Sequence, residues 1–338
     1  MGLLGALLAT NSPVAVSNAI VKSTGLAAQV SDPNDPAEQE YLKLIASDNA
    51  AQQEVDKWLR DHKAVAGQDG GVASAALTLR IEQRLEPVRK AYEGFLVRHP
   101  KHVPARLAYG SFLYDLGDDE AAVKQWEKAR DLDPGNPAAW NNLANHYGHR
   151  GPTIKALECY EKAIELAPDE PVYFQNLATA VYLFRKDAME YYHLTEDAVF
   201  ERALELYRKA VKLDPDNFPL ATDLAQSYYG FKPKPTPEAQ AKWKSAALTA
   251  WHYALKIAND DIERQGVYLH LARIELNTGG FDTARKHLET VTNEMYTAMK
   301  NRLLRNLNDK EAKTKGTNAL TVPSGNPTSP DVKPSASP

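Results

Sequence analysis

Pro137-Ala138-Ala139-Trp140-Asn141-Asn142-Leu143-Ala144-Asn145-His146-Tyr147, followed by Ala156, Tyr160, Ala163 and Pro168, is the stretch from which the rest of the chain can be read. Trp140, Leu143 and Tyr147 stand three and four residues apart, so they share one stripe of a helix. Ala144 and Ala156 are small where two paired helices must approach to ~8–10 Å at their crossing. Tyr160 and Ala163 give a second helix its inward face, and Pro168 cannot continue that helix, so the chain turns there. Asp131-Leu132-Asp133-Pro134 closes the preceding unit, and Glu165-Leu166-Ala167-Pro168 closes this one 34 residues later. A period of that length predicts stacked helical hairpins, an architecture for holding other molecules.

The period extends in both directions. Residues 103–136 supply Tyr109, Gly110, Leu113, Ala122, Trp126, Ala129 and Pro134. A third unit, 171–217, has Phe174, Leu177, Ala178 and Val181, then Ala203, Tyr207, Ala210 and Pro215. A fourth, 218–260, has Leu224, Ala225 and Tyr228, then Ala247, Trp251 and Ala254. A fifth, 261–293, has Tyr268, Leu271, Ala272, Ala284, Leu288 and Val291. With this pattern of Trp, Leu, Gly, Tyr, Ala and Pro, the chain resembles the tetratricopeptide repeat (TPR) family over more than half its length. The resemblance implies an all-α fold, a right-handed TPR-type α-α superhelix (solenoid) with helical caps. It also implies a non-catalytic scaffold that binds a protein or an extended peptide in its concave groove.

The flanks carry their own expectations. Residues 31–102 read as N-terminal helices over about 37–62, 73–85 and 87–99, with a Gly-containing linker at 64–71. Tyr92 and Phe95 make the last of them a degenerate repeat, as terminal repeats often are. Met295, Met299, Leu303 and Leu307 recur every four residues, which predicts a capping helix over 294–310 with Lys300, Arg302 and Arg305 in water. From 311 to 338 the composition turns to Pro, Ser, Thr, Asn and Lys, the signature of a disordered tail. Residues 1–30 form a leader whose first charge is Lys22. Leu3-Leu4-Gly5-Ala6-Leu7-Leu8-Ala9 resembles the core of a secretion signal without its basic start, which favours an exported or periplasmic location over a cytoplasmic one. Pro13 and polar neighbours argue against stable membrane insertion of the mature chain.

Composition narrows the function classes. A net charge of −4 gives no basic face to displace counterions from phosphates, so no nucleic acid is expected as a partner. The one cysteine, Cys159, excludes an internal disulfide and a Cys-based zinc site, and it reads as a packing residue. His146 with His149, and His99 with His102, have a spacing that suits a metal but no third ligand in sequence. With no phosphate loop, nucleophile elbow or metalloprotease motif, neither an enzyme nor a cofactor is expected.

Two sets of residues are candidates for binding. The polar positions between core residues on the first helices are Asn141, Asn142 and Asn145, then Gln175, Asn176 and Thr179, then Thr222, Asp223 and Gln226. Asn142, Asn176 and Asp223 fall one repeat apart, and a carboxamide offers a peptide backbone both a donor and an acceptor. Tyr114, Tyr182 and Tyr229 share a further register position and could act as flat anchors. The resembled family's clamp for chaperone tails needs Lys or Arg where this chain has Leu107, Val172 and Asn176, so that ligand is rejected. Two insertions form the second set: about 13 residues in repeat three around Tyr191, Tyr192 and His193, and about 10 in repeat four around Phe231. Both fall at the same turn of adjacent hairpins and are expected on one edge, over the groove mouth. Self-assembly into a homo-oligomer through that edge or the end helices is the alternative use.

Overall fold

A computed structural model describes residues 35–65, 72–231 and 233–320. The leader at 1–30 and the chain beyond 320 therefore lie outside the described residues, as does most of the 64–71 linker. Fourteen α-helices and no strand are found among the described residues, so the fold is all-α. The chain divides into two compact units, one ending at Asp216 and the other beginning at Asn217.

The first unit holds α1 (Pro36–Val65), α2 (Val72–Arg98), α3 (Val103–Asp115), α4 (Asp119–Leu132), α5 (Pro137–Arg150), α6 (Thr153–Leu166), α7 (Pro171–Leu183), α8 (Arg185–Tyr192) and α9 (Glu196–Leu213). Hairpins α3/α4, α5/α6 and α7/α9 follow the repeat register. Their starts are written in local chemistry. Asp118 caps α4 through Ala121 N–H (3.3 Å), Asn136 caps α5 through Ala138 N–H (3.1 Å), and Pro137 and Pro171 occupy first-turn positions that need no N–H partner. Ala122, Ala129, Ala139, Ala144, Ala156 and Ala163 are fully buried, as close helix crossing requires.

The N-terminal reading needs a correction. Residues 72–98 form one continuous helix rather than two, with Pro87 inside it. Leu85 and Val88 on either side are both buried, so the apolar stripe runs through the proline, while Pro87 faces water, which can serve the carbonyl the ring leaves unpaired. The histidines near this end are occupied. His102 Nδ1 accepts the Ala105 N–H (3.0 Å) and so caps α3, leaving Nε2 3.6 Å from Glu38, and His99 lies 3.2 Å from Glu40. Tyr92 donates to Asp48 (2.6 Å), which ties α2 to α1.

The second unit holds α10 (Phe218–Ser227), a 3-10 turn (Tyr228–Gly230), α11 (Pro237–Ile257), α12 (Asp261–Asn277), α13 (Phe281–Glu289), a second 3-10 turn (Glu294–Tyr296) and α14 (Thr297–Leu320). Its terminal core joins Leu269, Ala272, Leu276, Ala284 and Leu288 to Leu303 and Leu307 of α14. The cap departs from its expected form in three ways. It runs on to Leu320; Met295 and Met299 stay exposed; and Lys300 donates to the Val291 carbonyl (2.6 Å) instead of facing water. Met295 falls in the 3-10 turn, where the four-residue period no longer points to one side.

Candidate partner-binding surfaces

The first helices of the first unit turn much of their polar register inward. Asn141 is fully buried, and its Oδ1 accepts a hydrogen bond from Asn176 Nδ2 (2.9 Å) across the repeat boundary. Asn145 Oδ1 accepts from the Tyr160 hydroxyl (2.7 Å). Thr179 Oγ1 donates to the Gln175 carbonyl (2.9 Å) and is hydrogen-bonded to the Tyr207 hydroxyl (2.8 Å). Asn142 is also buried, with its Nδ2 unpaired, and one turn on, the Nδ1 of His146 is buried and unpaired as well. Tyr114 packs on Trp126 with centroids 5.5 Å apart, and Tyr182 meets Phe200 edge-on at 5.9 Å. The sequence placed these side chains toward a ligand, whereas Asn141 and Asn176 bond one repeat to the next, and Asn145 and Thr179 bond the two helices of their own hairpin. Asn141→Ala is therefore expected to lower stability by about 1–3 kcal/mol, because the Asn176 amide loses its partner. A urea-unfolding midpoint unchanged from wild type would contradict this.

The repeat-three insertion is a helix, α8, docked on the second helix of the preceding repeat. Tyr191 and Tyr192 donate to the two carboxylate oxygens of Glu161 on α6 (2.9 and 3.0 Å). Arg202 also bonds Glu161 (2.9 Å), and its guanidinium lies 3.9 Å over the Tyr192 ring. His193 ends α8 in the left-handed region (φ 54°), exposed to solvent. These tyrosines are thus turned onto α6 rather than across the face of the first helices. Cys159, also on α6, is buried, and burial pushes its thiol up to about 11, so it remains protonated.

The second unit brings together residues that the sequence assigned to different roles. Tyr229, expected as a groove anchor, and Phe231, expected on the insertion edge, line the same cavity of about 660 Å³. Its other walls come from α11 through Trp243 and Lys244, and from α12 through Arg273 and Asn277. Trp243 is held by its Nε1–H donating to the Tyr228 carbonyl (3.1 Å). Behind the wall, the Tyr229 hydroxyl is hydrogen-bonded to His270 Nδ1 (3.0 Å), and His270 stacks on the buried Trp251 at 4.1 Å with planes 7° apart. Arg273 covers the Tyr229 ring from above at 4.6 Å. Asp223 and Gln226 lie on α10, half-buried and exposed respectively. Sequence reasoning missed Trp243, His270 and Arg273, because they come from helices that meet Tyr229 only after folding.

Burial, with the charge of Arg273 nearby, depresses His270 from 6.5 to about 4. The unfolded chain then binds a proton in that window that the folded unit refuses. Stability present above pH 6.5 is lost as the pH falls toward about 4, by at most about 1.4 kcal/mol per pH unit. Urea midpoints taken between about pH 7 and about pH 4.5 should fall for wild type and fall less for His270→Phe. Equal slopes would remove His270 as the cause.

Among the described residues no group of three His, Cys, Asp or Glu side chains converges as a metal site, and no helix is long and apolar enough to cross a membrane. Fold and surfaces together define an α-α hairpin repeat protein. Models of the tetratricopeptide repeat match residues 110–151 and 137–170, so this part of the chain is built of tetratricopeptide repeats. Several solved structures are similar to it. One is PilW, a widely conserved type IV pilus biogenesis factor, at 14% identity and a TM-score of 0.50, covering 68% of this chain and 96% of that one. Another is TTC0263, a thermophilic TPR protein of Thermus thermophilus, at 21% identity and a TM-score of 0.41, covering 61% and 98%. A third is YrrB, a TPR protein with an unusual peptide-binding site, at 14% identity and a TM-score of 0.46, covering 64% and 99%. At these identities the likeness to PilW is one of fold. No curated protein sequence matches the chain.

Proposed function

We propose that the protein is a non-catalytic scaffold that holds a partner protein or an extended peptide. The observation that carries this reading is the cavity of the second unit, where Tyr229, Phe231 and Trp243 present aromatic surface beside polar groups. Aromatic side chains bring large, rigid contact area at little entropic cost, as anchor sites for peptides require. In the first unit, the bonds of Asn141, Asn145, Asn176 and Thr179 make the first helices a stiff platform, with Gln175 and Tyr182 half-buried on it. Asn142 is buried with its Nδ2 unpaired, so it could bond a ligand backbone only where binding uncovers it.

The test is affinity capture from native extract with the whole chain, comparing wild type, Phe231→Ala and Asn142→Ala. Phe231 is only half-buried, so its loss should leave the melting temperature nearly unchanged while partner capture drops. Capture kept by Phe231→Ala but lost by Asn142→Ala would move the site to the first unit. Capture of nothing by wild type, together with concentration-dependent light scattering, would favour self-assembly and overturn the scaffold reading.

A further inference from the structure

We infer that the second-unit cavity takes an acidic peptide segment, with a carboxylate side chain seated on Arg273 and a neighbouring apolar side chain against Tyr229, Phe231 and Trp243. This rests on the scaffold reading and adds the chemistry of the ligand. The argument is one of charge left over. Lys244 at the rim is spent on Glu275 (2.7 Å), so those two charges cancel. Lys310 donates to Asn277 Oδ1 (2.9 Å) at the same end of α12. Arg273 is different: it is exposed, and no carboxylate among the described residues pairs with it. Its position over the Tyr229 ring fixes the plane of the guanidinium without using up its N–H donors.

A fixed guanidinium with free donors beside an aromatic wall is matched by a carboxylate that can accept a bidentate pair. The net charge of the walls named here is then positive, which disfavours a basic ligand. An amide or hydroxyl ligand could bond Arg273 but would gain no Coulomb attraction, so selectivity between Glu and Gln in one peptide isolates the carboxylate. The low polarity of Tyr229, Phe231 and Trp243 supplies the apolar half of the match.

The probes are two blocked tripeptides, acetyl-Phe-Glu-Phe-amide and acetyl-Phe-Gln-Phe-amide, titrated into the whole chain with binding read by NMR shifts of the tryptophan indole protons. The Glu peptide should bind about tenfold more tightly, as expected for one charge-assisted hydrogen-bonded pair. Arg273→Gln should remove that preference and Arg273→Lys keep part of it, while Phe231→Ala should weaken both peptides. Raising the salt should shrink the Glu advantage but not the binding of the Gln peptide. Equal binding of the two peptides to wild type would overturn the carboxylate inference while leaving the aromatic cavity as a binding site. Binding of neither peptide would overturn the inference, and partner capture sensitive to Phe231→Ala would still stand as a separate result. Binding that appears only after deletion of residues 321–338 would assign the cavity to the chain's own tail and also overturn it.

Discussion

Trp251→Ala is expected to destabilise the protein by about 3–5 kcal/mol, the usual cost of truncating a buried tryptophan. Trp251 is 1% exposed and the largest of the fully buried side chains. It lies on α11, on the same helix face as the buried Ala247 and Ala254. Its removal would leave a void against His270, which is stacked on it, and His270 holds the hydroxyl of Tyr229. The damage should therefore reach the cavity, and probe binding should fall together with stability. Trp251→Phe offers a control. A phenyl ring keeps most of the apolar contact, including a flat face for His270, while giving up only the indole N–H. The phenylalanine variant should keep much more stability than alanine in urea unfolding. Equal losses for the two would show that the stack with His270 is not what matters here.

Gly110→Val is expected to cost a similar amount, about 3–5 kcal/mol, for the opposite reason. Gly110 lies in α3 facing Trp126 of α4, and a Cβ added there would clash with the Nε1 edge of the indole, only 2.6 Å from its Cδ1. Trp126 cannot easily move aside, since it is 3% exposed and its Nε1–H donates to the Leu107 carbonyl (3.3 Å). A branched side chain would displace the indole, so the loss approaches that of the tryptophan itself. Alanine at the same position should cost less, about 1–3 kcal/mol, because one methyl asks for a smaller shift. The decisive measurement is a double-mutant cycle with Trp126→Ala. Once the indole is gone, valine at position 110 should cost far less than it does in wild type. Additive losses would place the strain elsewhere.

Much of the hairpin register was readable in advance, and particular residues show why. Leu143, Ala144, Ala156 and Ala163 recur at helix spacing and are all buried, because a stripe facing a neighbour one period away repeats in the sequence itself. Asn136, Asp118 and the prolines after the turns act within a few residues of where they stand, so their reach is local. Pro87 misled for the same reason. A proline is ordinarily a local stop, but here buried Leu85 and Val88 hold one helix together across it.

The candidate sites were much less readable. Asn141, Asn142 and Asn176 look alike in sequence, yet Asn141 and Asn176 spend their amides on each other and Asn142 Nδ2 is left unpaired. Tyr191 and Tyr192 look like mobile aromatic residues in an insertion until Glu161, some thirty residues earlier, is found accepting from both hydroxyls. Periodicity says which face of a helix a residue occupies. It does not say which atom from another helix lies within hydrogen-bond distance.

Helix spacing, caps and the 34-residue period settled the hairpins of this protein from the chain alone, since each acts over one turn or one repeat and is written where it acts. The cavity came from packing. It needs Tyr229, Phe231, Trp243 and Arg273, which no short-range rule groups together, to meet as α11 and α12 fold against the turn after α10. The charge left over at Arg273 is likewise a property of the packed unit, because it depends on which carboxylates the other cations have already taken.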